Sequence, residues 1–213
     1  MTDELERRLA SAAPRQDPMS VDALKASLAR QAGDAGLLDV AYATHDSPLG
    51  TLTVVVTRRG LLELAYPGEP VDALLDEIAS RVSPRILRAP ERTDAVRRQL
   101  DEYFEGERRD FDVPIDWRLV RGFAGNVLRA AARIPFGDVS TYREVATEAG
   151  SPNAYRAAGN ALGSNPIPIV VPCHRVVHAG GGLGGYTGGL DRKRFLLTLE
   201  GVLEGNDRPA TSV

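Results

Sequence analysis

The sequence predicts an α+β chain. It has a small N-terminal domain with a short antiparallel sheet plus helices, then a mainly α-helical C-terminal domain with a helix-turn-helix. Three observations predict it. Apolar residues alternate with period two between about 40 and 66, and they recur at helical spacing from about 71 onward. The chain of 213 residues is 43% hydrophobic, enough to bury one large or two small cores.

Residues 1–38 form an N-terminal extension, helical or flexible. Leu5/Leu9 and Val21/Leu24/Leu28 stand at helical spacing, and Pro14 and Pro18 separate the two stretches. Residues 39–116 form an α+β supporting domain. Segments 40–45, 51–56 and 61–66 read as strands, with Pro48-Leu49-Gly50 and Arg58-Arg59-Gly60 as the turns between them. Helical periods follow at about 71–82 and 92–105.

The second domain, 117–203, begins after Val113-Pro114. A helix is predicted over 120–132, with Phe123, Val127 and Leu128 on one face, then a turn at Ile134-Pro135-Phe136-Gly137. A short helix from Ser140 ends at Gly150. Ser151-Pro152 supplies a capping residue and a first-position proline for a helix running to about Leu162. These two helices are the helix-turn-helix candidate, a weak signal by spacing alone. Its second helix is slim, with Ala154, Ala157, Ala158 and Ala161 leaving Arg156 as a lone long cation. Further on, Ile169-Val170-Val171 reads as a short buried strand, 191–199 as a final helix with Glu200 at its end, and 204–213 as a flexible tail.

Composition excludes several classes. One cysteine rules out an intramolecular disulfide and the multi-cysteine zinc frameworks. No run approaches the roughly 18 apolar residues of a membrane span, and the start, Met1-Thr2-Asp3-Glu4-Leu5-Glu6-Arg7-Arg8, lacks the charge order of a signal peptide, so the expected compartment is the cytoplasm. The net charge of −3 conceals an asymmetry. Residues 39–118 carry 11 basic and 16 acidic groups, whereas 119–200 carry 9 and 5. A basic domain on an acidic support suits a polyanionic partner.

The sole cysteine, Cys173, lies in a proline-rich segment and is followed by His174 and Arg175. A thiolate is the nucleophilic form, and a base or cation is needed to populate it. Adjacent side chains diverge on helices and strands, so a tight turn or a bridging water must carry a proton between Cys173 and His174. A hydrolase would draw on His45 or His178 instead, and neither comes with a partner motif. Residues 179–189 hold seven glycines without a P-loop ending, which fits a wall whose backbone approaches a flat ligand.

Pro172-Cys173-His174-Arg175-Val176 resembles the active-site signature of the O6-alkylguanine-DNA alkyltransferases, also called methylated-DNA–protein-cysteine methyltransferases. The resemblance extends from Ile134-Pro135-Phe136-Gly137 through Arg156-Ala157-Ala158-Gly159-Asn160, Asn165-Pro166-Ile167-Pro168 and Gly185-Tyr186-Thr187-Gly188-Gly189 to Leu199-Glu200-Gly201. It is weaker from about 40, where Asp46-Ser47-Pro48-Leu49-Gly50 is similar to the family's first hairpin.

The resemblance implies repair of DNA by direct reversal. Cys173 would take the alkyl group from O6-alkylguanine, and O4-alkylthymine, irreversibly and once per molecule. His174 would accept the thiol proton through a water, held in its tautomer by Glu200. Tyr142 would donate toward guanine N3, and Asn165 would brace the turn. Arg156 would enter the duplex where the damaged nucleotide is flipped out, from a helix in the minor groove. Tyr155, Ala157, Gly159, Asn160 and Thr141 complete the implied DNA-binding set, and the Val176 carbonyl with Tyr186 and Thr187 would line the base pocket.

Neither metal nor cofactor is implied. The implied partner is double-stranded DNA containing O6-alkylguanine, with no membrane; the expected state is a monomer, and cooperative binding along DNA is left open. The family's cysteine-free relatives bind alkylated DNA without reacting, an alternative that the presence of Cys173 opposes. Departures from the pattern are Gly163-Ser164, where many members carry a basic residue, Tyr155 in place of a small one, the absence of zinc-binding cysteines, and the extension before residue 39.

Overall fold

A computed structural model describes residues 21–68 and 70–204. The expectations for residues 1–20 and 205–213 lie outside the described residues. Helix α1 (Val21–Asp34) leads into a four-stranded sheet of β1 (Val40–His45), β2 (Leu52–Thr57), β3 (Gly60–Ala65) and β4 (Ile86–Arg88), in the order β3-β2-β1-β4. The three expected strands pair antiparallel, with Val40 opposite Thr57 and Val54 opposite Leu64.

The fourth strand corrects the all-antiparallel reading, because β4 runs parallel to β1. Its three residues lie between Pro84 and Pro90, too short a run for any periodicity to register. Helix α2 (Val71–Arg81) connects β3 to β4 and packs Leu74 and Ile78 on one sheet face, against Val40, Val55 and Leu62. Helix α3 (Pro90–Phe104) packs Val96, Leu100 and Tyr103 on the other. With both faces covered, β2 is buried along nearly its whole length, so its apolar run is continuous rather than alternating.

The outer edge of β3 is paired by the segment that leads out of the first domain and by the second domain. Leu61 N–H donates to the Pro114 carbonyl at 2.8 Å, and Leu64 N–H donates to that of Pro166, also at 2.8 Å. The first approach depends on Gly60, at φ 128°: a Cβ there would meet the Pro114 oxygen at 2.0 Å. Helices α4 (Gly122–Ala131), α5 (Tyr142–Glu148) and α6 (Tyr155–Gly163) pack on one another around Val127, Leu128, Val145, Ala158 and Ala161. One continuous core links them to the first domain's α3 face.

Two boundaries differ from expectation. Ser140-Thr141 is not helical but a short strand, β5, paired in parallel with β6 (Val176–Val177); Thr141 then caps α5, in a reciprocal capping box with Glu144. Ser151-Pro152 does not open α6. Those residues form a turn in which the Ser151 carbonyl accepts from Ala154 N–H at 2.9 Å, and the helix starts at Tyr155. The strand pairing has a functional consequence: it sets Tyr142, the first residue of α5, beside the segment that follows Cys173.

Candidate active site

The segment 165–172 is a tight loop rather than the strand expected at 169–171. Ile169 adopts φ 73°, among the described residues the one non-glycine in the left-handed region, although it is β-branched. Asn165 closes this loop. Its Oδ1 accepts from Ile167 N–H at 3.0 Å, while its Nδ2 donates to the Val171 carbonyl at 2.8 Å and lies 3.1 Å from Cys173 Sγ. The loop delivers Cys173 at the start of a 3₁₀ turn, Cys173–Arg175, that runs directly into β6. Burial pushes the Cys173 thiol up to about 11, with Asn165 pulling weakly the other way, so the group is a protonated thiol near neutral pH.

The turn also solves the divergence of adjacent side chains. His174 points inward, where its Nε2 lies 2.9 Å from Glu200 Oε1, and neither side chain is exposed. A carboxylate only accepts, so Nε2 carries the proton and Nδ1 is left as an acceptor. Nδ1 is buried and has no hydrogen-bond partner among the described residues. Burial holds the imidazole below its ordinary pKa, and Glu200 only partly offsets it, which keeps His174 neutral and able to take a proton.

Glu200, at the end of α7 (Leu190–Leu199), is held by more donors than the sequence implied. Arg175 Nε and Nη2 donate to its two oxygens at 2.9 Å each, and the Tyr103 hydroxyl donates to Oε1 at 2.6 Å. Burial alone would raise this carboxyl's pKa. The hydrogen bonds from His174, Arg175 and Tyr103 override it and bring the group to about 2. Tyr103 comes from α3, so the supporting domain contributes directly to the relay.

Lys193 is fully buried and spans the glycine-rich segment. Its Nζ donates to the Val176 carbonyl at 2.6 Å and also to the Leu183 carbonyl. Burial lowers it to about 8. Val176 itself is buried, and it lies outside the lining of the cavity beside Cys173. Its carbonyl is turned to Lys193, a partner that adjacent-residue reasoning does not reveal. That cavity, of about 280 Å³, is walled by Tyr142, Leu162, Tyr186 and Thr187, with the backbone of Gly159, Gly163 and Gly185 completing it. The Thr187 hydroxyl donates to the Gly163 carbonyl and ties the glycine-rich loop to α6.

Outside this cavity, a groove of about 570 Å³ runs past Thr141, Tyr142, Tyr155, Arg156 and His178. Tyr155, Arg156, Ala157 and Asn160 are exposed along α6, and half-buried Gly159 faces Tyr142. The guanidinium carbons of Arg143 and Arg156 lie 5.4 and 5.7 Å from the centre of the Tyr155 ring. Two cations thus converge on one aromatic at the mouth of the site. The structure therefore brings Cys173, His174, Glu200, Asn165, Tyr142, Tyr186 and Thr187 together, and places the Val176 carbonyl against Lys193.

Tyr103 and Lys193 escaped sequence reasoning, and Arg175 was singled out there only as a neighbour of Cys173, without its Glu200 partner. Arg175, inside an apolar run, was a signal of a buried partner. Lys193, within the charged run Asp191-Arg192-Lys193-Arg194, gave none.

Comparison with known proteins places the chain. Residues 122–202 match the family described as 6-O-methylguanine DNA methyltransferase, DNA binding domain, and residues 40–117 match that of its ribonuclease-like domain. A methylated-DNA–protein-cysteine methyltransferase of Mycolicibacterium paratuberculosis is 43% identical over 166 residues, covering 76% of this chain and 92% of the relative. One from Methanosarcina acetivorans is 39% identical, covering 75% and 97%. The structure of Mycobacterium tuberculosis OGT in complex with DNA superposes with a TM-score of 0.64 at 41% identity, over 75% of this chain and 92% of that one. The fold, both halves of the chain and the identity to these relatives agree: the chain belongs to the 6-O-methylguanine DNA methyltransferase family.

Proposed function

We propose that the protein repairs DNA by transferring the alkyl group of O6-alkylguanine, and of O4-alkylthymine, to Cys173. One observation carries this reading. The buried Cys173 sulfur borders a base-sized cavity on one side and is held by Asn165 on the other, next to a neutral histidine locked by Glu200. The names of the relatives and the DNA complex of the Mycobacterium tuberculosis protein support the substrate class.

Sγ attacks the alkyl carbon, a C–S bond forms, the C–O6 bond breaks, and its electron pair passes to the guanine ring. The thiol proton goes through a water to His174 Nδ1, and the imidazolium is stabilised by Glu200. Tyr142, whose pKa burial raises, keeps its proton and serves as a hydrogen-bond donor to guanine N3. The displaced guanine leaves as an anion stabilised by the Tyr142 hydrogen bond and takes back, through water, the proton held by the His174 imidazolium, so that in sum one protonated thiol and one alkylated base become a thioether and neutral guanine. A thioether has no leaving group of comparable ease, so each molecule reacts once.

An intact duplex cannot present O6 to a buried sulfur, so the nucleotide is flipped out, with Arg156 entering the stack from the exposed face of α6. Tyr155, Ala157, Asn160 and Thr141 supply the surrounding groove contact. The slim α6 suits the minor groove and sequence-independent binding. Replacing Cys173 with Ser tests the assignment: duplex binding is retained and alkyl transfer abolished. Transfer by the Ser variant would overturn it.

A further inference from the structure

Cys173 borders a second cavity, which the reaction above does not use. It measures about 180 Å³ and lies on the other side of Tyr186, between the two domains, walled by Tyr66, Pro67, Asn165 and Arg192. Leu162, Tyr186 and Thr187 belong to the walls of both cavities, so these side chains form a partition with the sulfur at its edge.

The partition is pinned from the first domain. Tyr66, just after β3, places its hydroxyl 2.6 Å from that of Tyr186, with the rings edge to face at 6.2 Å. Gly188 makes this approach feasible, because a Cβ there would meet Tyr66 Cε2 at 2.7 Å and Tyr186 Cε1 at 2.8 Å. Arg192 secures the other side of Tyr66: its guanidinium carbon lies 4.7 Å from the ring centre, and its Nη1 donates to the Gly188 carbonyl at 2.8 Å. Burial keeps both phenols protonated, so the pair is a neutral hydrogen bond.

We infer that Tyr66 is a specificity-positioning residue: by pinning Tyr186 through the hydroxyl pair, it keeps the two cavities apart and limits the size of the alkyl group that reaches Cys173. The inference rests on the alkyl-transfer reading. A methyl group fits beside Sγ within the first cavity alone. A benzyl group needs space past Tyr186, and the second cavity supplies it only when the partition gives way.

The test compares duplexes carrying a single O6-methylguanine or O6-benzylguanine, measuring the second-order rate of each with wild type, Tyr66→Phe and Tyr66→Ala. The benzyl-to-methyl rate ratio rises about tenfold or more in Tyr66→Ala, the range of one pocket-filling group, and by a smaller factor in Tyr66→Phe. A purely structural role would lower both rates together and leave the ratio unmoved, and the ratio does not depend on the fraction of protein folded. An unchanged ratio in both variants overturns the inference. A rise in Tyr66→Ala alone overturns the role of the hydroxyl pair. Wild-type protein inert toward both duplexes overturns the alkyl-transfer reading and this inference with it.

Discussion

Glu200 Oε1 lies 2.9 Å from His174 Nε2, and both side chains are closed off from solvent. The geometry decides which imidazole nitrogen can accept a proton. Glu200→Gln places an amide there, no longer a charged acceptor, and slows alkyl transfer by about 100-fold, the scale of a general-base contribution. Glu200→Ala also strands the Arg175 guanidinium and costs on the order of 3–5 kcal/mol of stability. Transfer kinetics and denaturant unfolding measure the two effects, and wild-type kinetics in Glu200→Gln would contradict the tautomer assignment.

Acid stability follows from the same cluster. Glu200 has a folded-state pKa near 2 against an ordinary 4.5, so its contribution is present above pH 4.5 and is lost as pH falls from there toward 2. His174 is depressed below 6.5 and adds to the loss on the acid side, since the unfolded chain binds its proton first. Melting temperature should decline below about pH 6.5 and steeply below 4.5, and the steep limb should flatten in Glu200→Gln.

Cys173 combines nucleophilic duty with a thiol held near 11 against an ordinary 9. At pH 8 the folded protein therefore reacts with iodoacetamide about 100-fold more slowly than its urea-unfolded chain, in proportion to the thiolate fraction. Equal rates would mean that the relay, rather than burial, sets the resting state of the sulfur.

On the groove, Arg156 and Arg143 are predicted to act differently although both contact Tyr155. Arg156→Ala slows transfer from duplex with little change in the salt dependence of binding, because the side chain enters the base stack. Arg143→Gln lowers the slope of log K against log salt by about one, the signature of one lost phosphate contact. Binding isotherms at several salt concentrations separate the two.

The order of elements was largely legible because the relevant signals are local. Short apolar runs between turn residues marked β1 to β3, and the helical periods marked α2, α3 and α4. Glu200 was legible through the resemblance because it stands at the end of a helix in the family's final motif. What escaped was non-local or too short. The strand β4 has three residues, the capping signal at Ser151 was spent on a turn, and the apolar run 169–171 was bent by the Asn165 clamp into a loop. Tyr103 and Tyr66 each look like ordinary sheet-packing aromatics in sequence. Their hydroxyls find Glu200 and Tyr186 only when the two domains meet, at separations of 97 and 120 residues.

Intact-mass analysis of the protein after incubation with excess duplex containing O6-methylguanine weighs the covalent step itself. The expected product is a single population heavier by one methyl group, with the modification found on Cys173 after proteolysis and an equal amount of unmodified guanine restored within the duplex. Protein of unchanged mass, a methyl group on any other residue, or repaired guanine exceeding one equivalent would contradict a stoichiometric transfer to Cys173.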